Sequence, residues 1–246
     1  MNVLLSLQDG AKEMATLLEL INTNRNSLLP QMKILEAHYL IKHYNDTYEL
    51  TTIGKLVVDN MIPLLDKTDI IDLDIDYWGS RNLDFIPSNL LDKIGQLKDY
   101  EIINPPITEL FSMHKSFNVD YNVSSHVYVV TTILYPDFDS IIAELLVNNV
   151  NFHYIVSQEL LNKLKTEYQK EFAGFINNKF FHMYVYTKEM KFIYFTFDSV
   201  HSVISAFNKK GDFDYKFMLC KGQSAVDWTK ELYDCILEDS VVVDKI

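Results

Sequence analysis

Asn24-Arg25-Asn26-Ser27, followed by Gln31 and Lys33 and then by Lys42 and His43, places the side chains that read nucleic acid within one short stretch. Arg can bridge guanine O6 and N7, Asn or Gln can bridge adenine N6 and N7, and Lys or His on a neighbouring element can meet phosphate. That chemistry needs a short helix packed on one side only, with a hairpin beside it that reaches the sugar–phosphate backbone. Helix-and-hairpin modules also serve as dimerisation or docking units, so a protein–protein adaptor stays open as the alternative.

A second set of polar residues follows expected strands: Tyr135, Ser157, Asp198 and Ser199. Open α/β sheets bind ligands in the crevice beyond the carboxyl ends of their strands, which makes these four the candidates for an effector pocket. The plainer reading is that Ser157 caps a helix and Asp198 closes a turn. Catalytic signatures are absent: there is no Gly-x-Gly-x-x-Gly, phosphate loop, Gly-x-Ser-x-Gly or His-Glu-x-x-His. Asp72-Leu73-Asp74-Ile75-Asp76 begins like a calcium loop, but Tyr77 stands where Gly is required and Leu83 where the bidentate acid belongs, so it reads as a solvated acidic face. Cys220 and Cys235 form no Cys-x-x-Cys and read as buried small residues, and the seven His are scattered along the chain. No metal, cofactor or enzymatic activity is expected.

These residues must be positioned by regular elements. Asn2–Gln8 is an apolar helical fragment ended by Asp9-Gly10. Lys12–Ile21 repeats Met14, Leu17, Leu18 and Ile21 at helical spacing, and Asn22-Thr23-Asn24 supplies a turn and an N-cap. Arg25–His38 follows with Leu28, Leu29, Met32 and Leu35 turned inward, and Pro30 suits only the first turn. Tyr39–Tyr44 and Thr47–Leu50 are β-prone runs about Asn45-Asp46, a hairpin signal. Thr51 can cap a further helix, Ile53–Leu65, with Ile53, Leu56, Val57, Met61 and Leu64 expected inward. Residues 66–106 read as a helical connector, and 107–246 as a domain of alternating strands and helices with later hairpin-like strands, in which Asp137 is expected to cap one helix and Ser157 another, Gln158–Phe175. The expected fold is therefore two-domain, α+β or α/β. It has an N-terminal winged helix-turn-helix over 1–65 and a C-terminal α/β domain on a mixed sheet.

With 246 residues, 48% apolar and 23% charged, the chain has enough material for real cores. No window approaches eighteen consecutive apolar residues, so no membrane-spanning helix is expected. Met1–Gln8 is too short for a signal peptide, and the reading is a reduced, cytoplasmic protein. The net charge of −12 is uneven: residues 1–65 hold five Lys/Arg against seven Asp/Glu, which leaves −10 on the rest. The acidic body argues against broad electrostatic adhesion to nucleic acid but permits a local basic surface on the near-neutral N-terminal part.

Three runs carry a resemblance: Leu28-Leu29-Pro30-Gln31-Met32-Lys33-Ile34-Leu35-Glu36, Tyr39-Leu40-Ile41, and Tyr48-Glu49-Leu50-Thr51-Thr52-Ile53-Gly54-Lys55. Together with Tyr77-Trp78, Ile86–Leu91, Ile94–Leu97 and the Trp228 helix, the chain resembles the archaeal methanogenesis-regulatory winged-helix family of methanogens. Ala11 departs from the Pro that the family often carries there. The resemblance implies an N-terminal domain that binds double-stranded DNA and a C-terminal domain for sensing or assembly, with a small-molecule or protein effector. The later strand and helix order is also reminiscent of half a phospholipase-D-like fold. That chemistry needs His-x-Lys, and no His here is followed two residues on by Lys. A homodimer is expected because one short helix reads few base pairs.

Overall fold

The computed structural model describes residues 2–109 and 124–246, which divide into two units, Met1–Thr68 and Asp69–Ile246. In the first, α1 (Asn2–Ser6), β1 (Lys12–Glu13), α2 (Met14–Ile21), α3 (Arg25–Ala37), β2 (Ile41–Tyr44), β3 (Thr47–Leu50) and the start of α4 (Thr52–Leu73) follow in order. A three-stranded antiparallel sheet runs β1-β3-β2. Lys12 and Glu13 were expected inside α2. They instead pair with Tyr48 and Thr47, because the free edge of β3 offers them ladder bonds. Asn45 and Asp46 both have positive φ (48° and 66°), the two-residue turn whose twist matches that of a hairpin.

Met14, Leu17, Leu28, Met32, Ile41 and Leu50 are buried together in this unit's core. The junction of hairpin and α4 explains the Leu-Thr-x-x-Gly-Lys run. The Thr51 hydroxyl accepts from the Gly54 amide at 3.0 Å, capping α4, and donates to the Tyr39 carbonyl at 2.5 Å. The Thr51 amide donates to the Leu40 carbonyl at 3.0 Å. A Cβ on Gly54 would lie 1.9 Å from that carbonyl oxygen, so α4 can approach this closely only on glycine. This contact turns α4 away from the expected orientation. Gly54 and Val58 face inward with Met61 and Ile62 beside them, while Ile53, Leu56, Val57 and Leu64 are exposed. The helix also runs through Pro63 to Leu73 instead of ending at Leu65.

In the second unit, α5 (Ile75–Ser80), α6 (Ser88–Asp92) and 3-10 turns at Ile94–Leu97 and Ile107–Glu109 accompany β4 (Tyr100–Ile103). Then come β5 (His126–Thr131), α7 (Phe138–Val147), β6 (Asn151–Val156), α8 (Gln158–Glu167), α9 (Gln169–Ile176) and β7 (Phe181–Tyr186). The remainder is β8 (Tyr194–Phe197), β9 (His201–Ser205), β10 (Phe217–Lys221), α10 (Gln223–Glu238) and β11 (Ser240–Val242). One eight-stranded mixed sheet has the order β11-β7-β6-β5-β8-β9-β10-β4, with β5, β6 and β7 parallel and the other pairs antiparallel. Strand alternation splits the core. Val130 and Ile155 join α10 on one face, and Phe152, Tyr154 and Val156 join α7–α9 on the other.

Several local expectations are corrected. Asp137 precedes α7 at φ 59° and makes no side-chain cap. The helix expected over 158–175 breaks at Tyr168 into α8 and α9. Of the connector expected over 66–106, residues 69–106 belong to the second unit and add β4 to its sheet. Within them the Trp78 indole donates to the Tyr100 hydroxyl at 2.8 Å, and from α10 the Trp228 indole donates to the Leu90 carbonyl at 2.9 Å, which anchors them. Buried Arg81 pairs with Asp214 through two bonds of 2.8 and 2.6 Å and lies over the Tyr77 ring. Its two terminal nitrogens are paired while the buried Nε has no partner, and the ion pair ties residue 81 to residue 214.

Candidate nucleic-acid interface

The polar face of α3 is built by two neighbouring caps. Asn22, in the left-handed region at φ 51°, ends α2, and the Asn24 carboxamide then accepts from the Ser27 amide at 3.0 Å to start α3. Between these caps lies the three-residue turn that the sequence signalled. Leu28 and Met32 are buried, 1% exposed each, so α3 is braced from behind. Asn26, Ser27, Gln31 and Lys33 are exposed on its outer side, Asn24 and Arg25 are exposed at its start, and Lys42 and His43 are exposed on β2. The Gln31 side chain donates to the Ser27 carbonyl at 3.3 Å, which holds it along the helix.

The electrostatics of this surface were not legible from residue types. Arg25 meets Asp46 of the hairpin turn at 3.2 Å, Lys42 meets Glu49 across the ladder at 3.0 Å, and His43 Nδ1 lies 2.7 Å from Glu36 of α3. Two of the three pairs therefore fasten the hairpin to α3. Their side chains are 42–63% exposed, so each contributes only about 0–1 kcal/mol. The hairpin tip also presents Tyr44, 79% exposed.

The four effector candidates do not come together. Tyr135 and Ser157 follow β5 and β6, whereas β8 is antiparallel to β5, so Asp198 and Ser199 emerge at the opposite end of the sheet. A six-residue strand separates the two ends by about 20 Å. Ser157 caps α8 by accepting from the Leu160 amide at 3.1 Å. Asp198 is buried and accepts from the Val200 and His201 amides at 2.7 Å each, closing the β8–β9 turn. Ser199 and Ser124 share a hydroxyl bond of 2.6 Å.

Parallel pairing brings together three histidines that are far apart in sequence. His126, His153 and His182 lie on β5, β6 and β7; the His153 and His182 rings stack at 4.6 Å, and His126 Nδ1 is 3.4 Å from His153 Nε2. Burial, then His182 and His126, push the His153 imidazole down to about 4. Strand register was the missing signal here. Among the described residues, no group of three His, Cys, Asp or Glu side chains could hold a metal ion. Burial pushes the Cys220 thiol up to about 12, which makes it unreactive. Among the described residues, no helix is long and apolar enough to cross a membrane.

Comparison with known proteins gives a consistent result along the chain. Residues 1–68 match the N-terminal domain of methanogenesis regulatory protein FilR1, and residues 110–239 match its middle domain. The methanogenesis regulatory protein FilR1 of Methanothrix harundinacea (strain 6Ac) is 18% identical over 253 residues. That alignment takes in 100% of this chain and 56% of the relative, so the chain spans little more than half the relative's length. Among solved structures, the archaeal chromatin protein TrmBL2, described as showing a novel mode of DNA binding, aligns at 11% identity and a TM-score of 0.45. It covers 98% of this chain and 91% of its own. Phosphatidylserine synthase of Haemophilus influenzae Rd KW20 aligns at 11% identity and a TM-score of 0.40 over 50% of this chain and 35% of its own. With both domain models matched in order, this chain belongs to the family of methanogenesis regulatory protein FilR1.

Proposed function

We propose that this chain is a DNA-binding transcriptional regulator whose first unit is a winged helix-turn-helix. In this reading α3 enters the major groove, with Arg25, Asn26, Ser27, Gln31 and Lys33 toward base edges and Asn24 shaping its start. The β2–β3 hairpin is the wing, with Lys42 and His43 on the backbone. The carrying observation is that the outer face of α3 is polar and exposed while Leu28 and Met32 brace it from within. The larger unit receives a signal from a small-molecule or protein effector or mediates assembly, and no catalytic step is assigned to the chain. The regulator acts as a homodimer: the exposed Ile53, Leu56 and Leu64 of α4 supply an apolar seam. Two recognition helices about 34 Å apart would meet successive major grooves.

Fluorescence anisotropy with a labelled duplex across a salt series tests this reading. Lys42→Ala should weaken binding to all sequences alike, whereas Arg25→Ala should relax selectivity at one base position. If both variants bind as the wild type does, the surface assignment is wrong. A folded dimer without salt-sensitive duplex binding would favour the protein–protein adaptor.

A further inference from the structure

We propose that the carboxylates of Asp46, Glu49 and Glu36 stand in for DNA phosphates on the α3–wing surface, and that Asp46 masks Arg25 until a duplex displaces it. This inference rests on the regulator reading and goes further, to what limits binding. The surface holds two cation–carboxylate pairs, Arg25–Asp46 and Lys42–Glu49, and a third contact in which His43 Nδ1 lies 2.7 Å from a Glu36 carboxylate oxygen. Each joins side chains from neighbouring elements, so the three carboxylates lie among the side chains that would contact the duplex.

The Arg25–Asp46 pair is the most consequential. Arg25 is the first residue of α3, and its guanidinium is the one group on this face able to grip a phosphate or a guanine with two parallel bonds. Asp46 is presented by a turn held at positive φ on both central residues, so its position follows from the backbone and not from a flexible loop. The carbonyl of Asp46 also accepts from the Met14 amide at 3.1 Å, which anchors the turn to the start of α2. Both side chains of the pair are more than half exposed, so phosphate can reach and exchange with the carboxylate.

Exchange changes the energetics of binding. A free cation that meets phosphate releases a condensed counterion, but a cation that must first leave its own carboxylate gains little net charge neutralisation. Non-specific adhesion is thereby suppressed, and only a site that adds base contacts offsets the loss of the protein's own pairs. The device also suits a chain of net charge −12, whose overall charge does not favour adhesion to DNA.

The test uses the full chain and a mixed-sequence duplex about three helical turns long, titrated between about 50 and 200 mM salt. Asp46→Asn keeps the left-handed turn, which Asn tolerates as well as Asp, and keeps the backbone bond from Met14. It should bind about three- to tenfold tighter at the low-salt end, with a log–log salt slope steeper by up to about 0.9. Glu49→Gln should shift binding in the same direction through Lys42. In an Arg25→Ala background the gain from Asp46→Asn should vanish. Equal affinity and slope for Asp46→Asn and wild type overturn the masking inference alone. A gain that persists without Arg25 also overturns it, because Asp46 would then repel the duplex directly. If neither wild type nor Asp46→Asn binds the duplex, the regulator reading falls as well.

Discussion

Replacing a helical glycine with alanine ordinarily stabilises a protein by about 1 kcal/mol, and Gly54→Ala should do the opposite. The added Cβ would lie 1.9 Å from the Leu40 carbonyl oxygen, 3.0 Å from the Leu40 carbonyl carbon and 3.3 Å from Leu50 Cδ2. An ordinary C···O contact is about 3.3 Å, so α4 or the Leu40 corner must retreat by more than about 1 Å. The retreat pulls apart the bonds made there: the Thr51 amide to Leu40 at 3.0 Å, the Thr51 hydroxyl to Tyr39 at 2.5 Å and the Thr51 cap on Gly54 at 3.0 Å. A lost cap costs about 1 kcal/mol, a lost backbone bond about 1, and overpacking about 1–3. Set against the helical gain of about 1, the net loss is about 2–4 kcal/mol. Urea titration of the full chain, read by hydrogen exchange at the β2 and β3 amides, measures it in the unit that carries the change. Under the proposed function, duplex binding should fall with the folded fraction. A variant as stable as the wild type, or more so, would refute the claim that close backbone approach explains this glycine.

Two further outcomes are expected. His153 should stay neutral on acidification until about pH 4, since burial and the neighbouring His182 and His126 disfavour its charged form. The unfolded chain, protonating this group near 6.5, then binds more protons across pH 4–6.5, so the group's contribution to stability rises with pH in that window and is level above it. Proton NMR of the imidazole reads this directly, and a midpoint near 6.5 would contradict it. Leu56→Glu together with Leu64→Glu should convert the proposed dimer to monomers in sedimentation equilibrium without unfolding it, because these side chains are 60% and 61% exposed. An unchanged mass would place the seam elsewhere.

Much of the first unit was legible because its signals are local. Cap, turn and helical spacing over residues 22–35 concern neighbours in the chain, so Asn24 as N-cap and Leu28 with Met32 as the inner face could be read directly. The inner face of α4 could not be read in this way. Hydrophobicity pointed to Ile53, Leu56 and Leu64, yet the steric demand of the Leu40 carbonyl turns Gly54 and Val58 inward. The strands β4, β10 and β11 were missed for a related reason. Tyr100–Ile103, Phe217–Lys221 and Ser240–Val242 lack clear alternation and become strands by pairing with distant partners.

Residue order alone determined where the chain turns, where its helices start and which face of α3 is polar, since each depends on side chains a few positions apart. Tertiary structure decided which charges meet. It set Asp46 on Arg25 and Glu36 on His43, separated Tyr135 and Ser157 from Asp198 and Ser199, and stacked His153 on His182. Electrostatic and ring contacts depend on distance in space, and strand direction and hairpin placement fix that distance only once the whole sheet has formed.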